Sequence, residues 1–250
     1  MTSSVASQPV IDIEMLLKQY RSDVYIASSS FYAWKTINSF GISEQGEPSK
    51  QEEFSALNTN ALSWKIIVHS LKITYLSALG RIFDRDIRSV GVCNLLDMCK
   101  KEITQFSKLD LEARKLKEAN GVRPEWLGNF LQGAYEADLA DFDALIQVLR
   151  PHKRKFRCKY QPIRNKVIAH NESMQIGCRD TLFLTTNTTE LEEILEFLHQ
   201  VEGVVTELHL NGRKTSLTDY TLDKRRDIRE DLEKLLTAIL AANPFARYRR

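Results

Sequence analysis

Apolar residues recur along most of this chain at intervals of three and four, the spacing of helices with one buried face. The pattern predicts a first helix over residues 11–39, closed by Gly41 and by a loop holding Gly46 and Pro48. A second is predicted over 52–86. Its stretch from Trp64 to Phe83 is apolar on nearly every side, which places it at the centre of a bundle. Shorter helices are expected over 92–106, and from Asp110, read as an N-cap, to the Asn120-Gly121 stop. Pro124 opens the next, which holds to Leu149 and ends before Pro151. A further candidate covers 160–172, and 182–187 reads as a loop or short extended piece. Thr189 and Glu192 have capping-box spacing and start a helix that reaches about Leu208. Asn211-Gly212 turns the chain, and a last amphipathic helix covers 222–242, before Pro244.

The fold class that follows is all-α: an up-and-down helical bundle with additional C-terminal helices. A single domain is expected over 1–250, with the bundle over about 10–210 and a helical extension over about 211–250. Apolar residues make up 43% of the 250 and charged residues 27%, a composition that supports a sizeable core and excludes a disordered chain. No stretch free of Asp, Glu, Lys and Arg approaches the roughly 20 residues that span a bilayer, so no membrane partner is expected. The first residues show no basic region followed by an apolar one, and a cytoplasmic location is expected.

The four cysteines, at 93, 99, 158 and 178, form no C-x-x-C pair and have no His at ligand spacing. Neither a disulfide framework nor a structural zinc site is expected, and Cys93 and Cys99 read as buried thiols. No metal and no cofactor are expected. Gly-rich phosphate loops, G-x-S-x-G and H-E-x-x-H are all missing from the sequence, so the enzyme classes that depend on them have no support.

Charge changes the picture. The chain carries +2 overall, yet residues 150–170 hold eight Lys or Arg and no acid. The remainder therefore sums to −6, from 27 basic and 33 acidic residues. A basic segment on an acidic chain points to an anionic partner at one place. Six of the residues 150–160 are basic, with Phe156 and Tyr160 interleaved. Cations neutralise phosphates and aromatics stack on unpaired bases, so Lys153, Arg154, Lys155, Arg157, Lys159 and Lys166 are candidate RNA contacts. The other reading is a solvated basic loop, with Phe156 in the core.

The most informative string is Tyr160-Gln-Pro-Ile-Arg-Asn-Lys-Val-Ile-Ala-His-Asn-Glu172. Pro162 places a helix start close by. On a helical wheel Arg164 falls between Ile163 and Ile168, where a plain amphipathic helix would carry Leu. A guanidinium there needs a carboxylate, a phosphate or an interface. His170 falls at the edge of the same apolar arc, about 120° from Arg164.

Arg164-Asn165-x4-His170 resembles the R-x4-6-H motif of the HEPN superfamily, helical-bundle RNases and RNA-binding modules. The fuller string Arg-Asn-Lys-Val-Ile-Ala-His-Asn is most similar to the abortive-infection, AbiU2-like branch. Ala78-Leu-Gly-Arg-Ile-Phe-Asp84 is similar to that branch as well. The resemblance implies metal-independent RNA cleavage through 2′-hydroxyl attack. It makes His170 the base or phosphate-polarising group, Arg164 the phosphate clamp and Asn165 the group that orients them. It implies a homodimer with the site at the interface, an RNA substrate (single-stranded or tRNA-like), and a role in phage defence or toxin-like growth arrest. A cognate antitoxin or defence partner belongs to the same expectation. Toxins of a related branch carry a modifiable Tyr two residues after the His, and this chain has Glu172 there. The alternative is a non-catalytic RNA-binding or protein-interaction module, or an antitoxin-like accessory subunit, that keeps the motif for packing.

The remaining candidates read as structural. His69 is expected in the core, His199 and His209 in structural or surface roles, and Trp34, Trp64 and Trp126 in packing. Arg81, Asp84, Arg85 and Asp86 are expected to form a local ion-pair cluster, with Arg81 or Asp84 a candidate near the cleft.

Overall fold

The computed structural model describes residues 12–39, 60–86, 88–165, 186–221 and 224–242. Among these the secondary structure is entirely helical, without strands, which bears out the all-α class. The helices are α1 (Ile13–Ser39), α2 (Ala61–Ile82), α3 (Val92–Lys101), α4 (Lys108–Glu118), α5 (Leu127–Gly133), α6 (Leu139–Lys155), α7 (Thr188–Thr206) and α8 (Lys224–Ala242). Single 3-10 turns occupy Ile103–Phe106 and Leu217–Asp219.

The first helix is the spine, packing on α2, α7, α8 and α3. Its face of Leu17, Tyr20, Val24, Ala27 and Phe31 is buried because these positions recur every three or four residues. Tyr20 donates its hydroxyl to the Leu198 carbonyl at 2.9 Å, which satisfies the one polar atom of a fully buried ring. Phe31, Trp34 and Tyr75 form an aromatic cluster between α1 and α2, with centroids 5.5–5.9 Å apart. Asp23, almost fully buried, accepts from Arg81 Nε and Nη2 at 2.9 and 2.7 Å. Arg81 therefore serves the α1–α2 contact rather than an ion-pair cluster with Asp84.

Several sequence-based expectations are corrected. The second helix is central only in its C-terminal half. Tyr75, Leu76, Leu79 and Ile82 are buried, but Leu62, Ile66 and Ile67 are 73, 58 and 41% exposed, and His69 is exposed too. Ser107, not Asp110, caps α4: its hydroxyl accepts from the Asp110 amide at 3.2 Å. The helix expected over 124–149 is broken at 134–138. There the Tyr135 amide donates to the Gly212 carbonyl at 2.6 Å, and an Asp138/Asp141 capping box starts α6 afresh. Asn187 caps α7, two residues before the expected Thr189. Trp126 is 53% exposed, resting edge-on against Phe130.

The largest correction concerns Pro151. The chain does not leave the helix there. It runs on through Lys155, a widened turn over Phe156–Tyr160 and a regular turn over Gln161–Ile163, reaching Asn165. Burial explains the continuity. Phe142, Leu145, Leu149, Phe156, Tyr160 and Ile163 all face inward at helical spacing. Phe156 stacks on Phe83 of the α2–α3 loop, with ring centroids 4.7 Å apart. Such burial, about 1.5–3 kcal/mol for each large side chain, offsets the hydrogen bond Pro151 removes. The widened turn has its own cause. Pro162 would press its ring on the Cys158 carbonyl in a regular helix. Here the Gln161 amide bonds back to the Phe156 carbonyl, five residues earlier, and the wider turn makes room. Pro162 thus lies inside the helical run instead of starting a helix.

Candidate functional site: the Arg164 seat and its basic groove

Arg164 and Asn165 end the described part of the α6 run. Arg164 is half-buried, and its side chain lies across Gly80 of α2: a Cβ built there would sit 3.0 Å from Arg164 Nε. A side chain at 80 would oblige Arg164 to give by at least a few tenths of an ångström. Fold packing thus brings together the two segments, Arg164-Asn165 and Ala78–Asp84, that separately resemble one family. Arg164 Nη1 donates to Asn165 Oδ1 at 3.0 Å. Among the described residues no carboxylate pairs with Arg164. Among the described residues the guanidinium is thus oriented by Asn165 and not neutralised by an acid, the state in which it can grip a phosphate bidentately. His170 and Lys166, with Glu172, Cys178 and the basic tail at 246–250, lie outside the described residues.

Next to this seat the basic segment divides along two sides of one helix. On the side facing α7, Lys155 Nζ meets Glu193 at 2.7 Å and Lys159 Nζ meets Glu190 at 2.5 Å. The Tyr160 hydroxyl donates to Glu190 and to the Asn187 carbonyl, both at 3.2 Å. Hydrogen bonding to Glu193 pushes the Lys155 ammonium up, and hydrogen bonding to Lys159 holds the Glu190 carboxyl down. His152 stacks flat on Phe197, centroids 4.3 Å apart, and burial lowers its pKa. On the opposite side Lys153, Arg154 and Arg157 line a cavity of about 520 Å³ with Arg150, Arg85, Cys158 and Gln161. No acid lines it. Lys153 Nζ is 2.8 Å from the half-buried Cys93 thiol.

Arg85 is presented by a built loop. The Asp84 carboxylate accepts from the amides of Arg85 and Asp86 at 2.6 and 3.1 Å. Asn94 donates to the Asp86 and Ser89 carbonyls at 2.7 and 2.8 Å. Gly91 lets the loop fold back, since a Cβ there would meet the Asp84 and Ile82 carbonyls at 2.8 and 2.9 Å. Arg88 is spent on Asp86, at 2.7 Å, and does not line the cavity.

Of the six candidate RNA contacts, three therefore share a groove, two are ion-paired on the far side, and Lys166 is not described. Arg85 and Arg150 were missed as site residues. For Arg150 the signal was there: 150, 154, 157 and 161 alternate at helical spacing with the apolar 149, 156, 160 and 163. Arg85 had none, since only the loop brings it across. Phe156 and Tyr160, expected as stacking platforms, are 1% and 0% exposed and belong to the core. The free cysteines include Cys99, fully buried and with its thiol pushed up to about 12 by burial, and Cys158, exposed in the groove. Among the described residues no three His, Cys, Asp or Glu side chains gather to hold a metal ion, and no helix is long and apolar enough to cross a membrane.

Comparison with known proteins adds one match. No curated protein and no solved structure matches the chain. A family model of the HEPN group, described as AbiU2, matches residues 11–232, from the start of α1 into α8. That span covers most of the chain and both segments that meet at Gly80, and the chain accordingly belongs to the HEPN AbiU2 family.

Proposed function

We propose that the protein is a metal-independent endoribonuclease whose centre comprises Arg164, Asn165 and His170. The observation that carries this reading is the Arg164 seat: a half-buried guanidinium over Gly80, aimed by Asn165, with no acid among the described residues to neutralise it. Its natural complement is a phosphate diester. In the reaction His170 takes the proton of a ribose 2′-hydroxyl. The 2′-oxygen attacks the adjacent phosphorus, the bond to the 5′-oxygen breaks, and a 2′,3′-cyclic phosphate forms. Arg164 stabilises the charge that builds on the non-bridging oxygens. Asn165, through its amide oxygen, positions Arg164. Membership of the family supports a role in defence; growth arrest, a homodimer with the motif helices at the interface and a cognate partner chain belong to the same proposal.

A second reading, an interaction module with no catalysis, is favoured by the exposed Leu62, Ile66 and Ile67 of α2, an apolar face suited to a protein partner. One experiment separates the two. Wild type, Arg164→Ala and His170→Ala are incubated in EDTA with mixed tRNA, mRNA and ribosomal RNA, and product ends are mapped. The nuclease reading expects cyclic-phosphate ends from wild type, none from His170→Ala, and rates lower by about 10²–10³ for Arg164→Ala, with all three folded. Intact RNA throughout, with His170→Ala losing stability or oligomeric state, would establish the module instead.

A further inference from the structure

We propose that the groove lined by Arg85, Arg150, Lys153, Arg154 and Arg157 is a phosphate track that holds the RNA backbone beside Arg164 and is blind to base identity. The inference rests on the nuclease reading for what happens at Arg164, but its evidence is separate.

The first argument is charge. Five cations converge on one concavity of about 520 Å³ with no carboxylate among its described lining residues. Among the described residues Arg85, Arg150, Arg154 and Arg157 have no ion-pair partner, and the one contact of Lys153 is the Cys93 thiol. Such crowding of like charges persists at low cost only because the groups are exposed, and it is relieved by a polyanion. The cations of the same helix that do find glutamates stand on the other side.

The second argument is geometry. Arg150, Arg154, Arg157 and Gln161 follow one face of the α6 run, over roughly 16 Å at the helical rise. Arg85 closes the groove from the opposite wall. A free anion would need one compact cage, whereas a row of guanidiniums suits successive phosphates of a strand. The row also has a destination. Gln161 lies one turn before Arg164, and Arg85 lies just beyond the helix whose Gly80 seats Arg164. Both walls of the groove therefore lead to the motif arginine.

The third argument sets the specificity. Base readout on an unpaired strand uses aromatic platforms. Among the described residues the groove lining contains no aromatic residue, and Phe156 and Tyr160 are buried in the core. What remains grips phosphate, so any sequence preference must arise at the Arg164 centre and not in the track.

The test uses His170→Ala full-length protein, so that RNA stays intact, and two fluorescent 20-nucleotide RNAs, one all-uridine and one mixed. Affinity is measured by anisotropy between 50 and 200 mM salt in phosphate-free buffer. The five phosphate contacts of the track predict a contribution of about −3.5 to the slope of log K against log salt, at about 0.7 per contact on a single strand, to which Arg164 adds its own contact. Adding Arg85→Ala and Arg150→Ala should flatten the slope by about 1.4. Both RNAs should respond alike. Circular dichroism checks the fold, which two exposed arginines without described partners should not disturb. An unchanged slope, a marked preference for one RNA that the double change abolishes, or no RNA binding at all would overturn the track. Inorganic triphosphate serves as competitor. If it binds more tightly than RNA, and only its binding depends on Arg85 and Arg150, the groove serves a free polyphosphate and the track is likewise overturned. Cleavage by wild type is scored separately: its absence beside the predicted change in slope would sink the nuclease reading and leave the track standing.

Discussion

The two sides of the α6 run carry similar charge and do opposite things with it. Lys155 and Lys159 reach across to Glu193 and Glu190 of α7 and tie the helix down. Arg150, Arg154 and Arg157, a few residues away in the chain, face Arg85 and meet no acid among the described residues. A cation already paired must break that pair to bind phosphate, so it gains little by doing so. An unpaired one exchanges only solvent and counterions. Availability, not charge, distinguishes the proposed track from the paired side, and availability is set by which neighbouring helix supplies acids.

The largest way to break this comparison is to remove what anchors both sides. Phe156→Ala deletes a buried ring stacked on Phe83 and should cost about 3–5 kcal/mol in urea unfolding. Phe156→Leu, a milder change, should leave RNA affinity as in wild type, because the ring is core and not a base platform. Loss of RNA binding in a folded Phe156→Leu protein would contradict that.

Burial sharpens the same contrast. The groove arginines are exposed, and solvent carries part of the cost of their charge. His209 is 2% exposed, has no hydrogen-bond partner on either ring nitrogen among the described residues, and packs beside Phe106. Burial, then the Arg114 guanidinium, lowers its pKa to about 4. A histidine held neutral in the fold binds its proton more readily once unfolded. Its contribution is therefore complete above the unfolded value near 6.5 and is lost as pH falls through 4, a change of up to about 3 kcal/mol. His209→Leu should remove this part of the pH dependence when stabilities are compared at pH 7 and pH 4; unaltered dependence would assign it to other groups.

A smaller effect is expected at the seat itself. Gly80→Val should displace Arg164 and slow RNA cleavage roughly tenfold, about 1.4 kcal/mol, with the fold retained. Wild-type turnover in that variant would mean the guanidinium has another resting place. The smallest effect is the control. Lys155→Ala with Lys159→Ala should change RNA affinity less than about threefold, since both lysines are engaged with glutamates. A loss as large as that from Arg85 and Arg150 would erase the distinction between the two sides.

Much of the fold was legible. The limits of α1, the stop at Asn120-Gly121 and the turn at Asn211-Gly212 all follow from local spacing and backbone rules. The errors share a cause. Proline rules predicted that the helix ends before 151 and that another starts at about 160, close to Pro162, because a missing donor and a ring clash are local penalties. Burial of Leu149, Phe156, Tyr160 and Ile163 against distant elements outweighed both. The apolar run of α2 predicted a central helix, but neighbours among the described residues cover only its second half.

The sequence by itself determined the all-helical class, the family-like string at Arg164 and the concentration of cations beside it. These are properties of residue order, and helical periodicity and short motifs are read within a few turns. Only the tertiary structure decided that Gly80 seats Arg164, that Arg85 joins the groove, and that two of the cations are spent on α7. Those outcomes depend on contacts between residues far apart in the chain, and no local pattern encodes which helix will stand opposite.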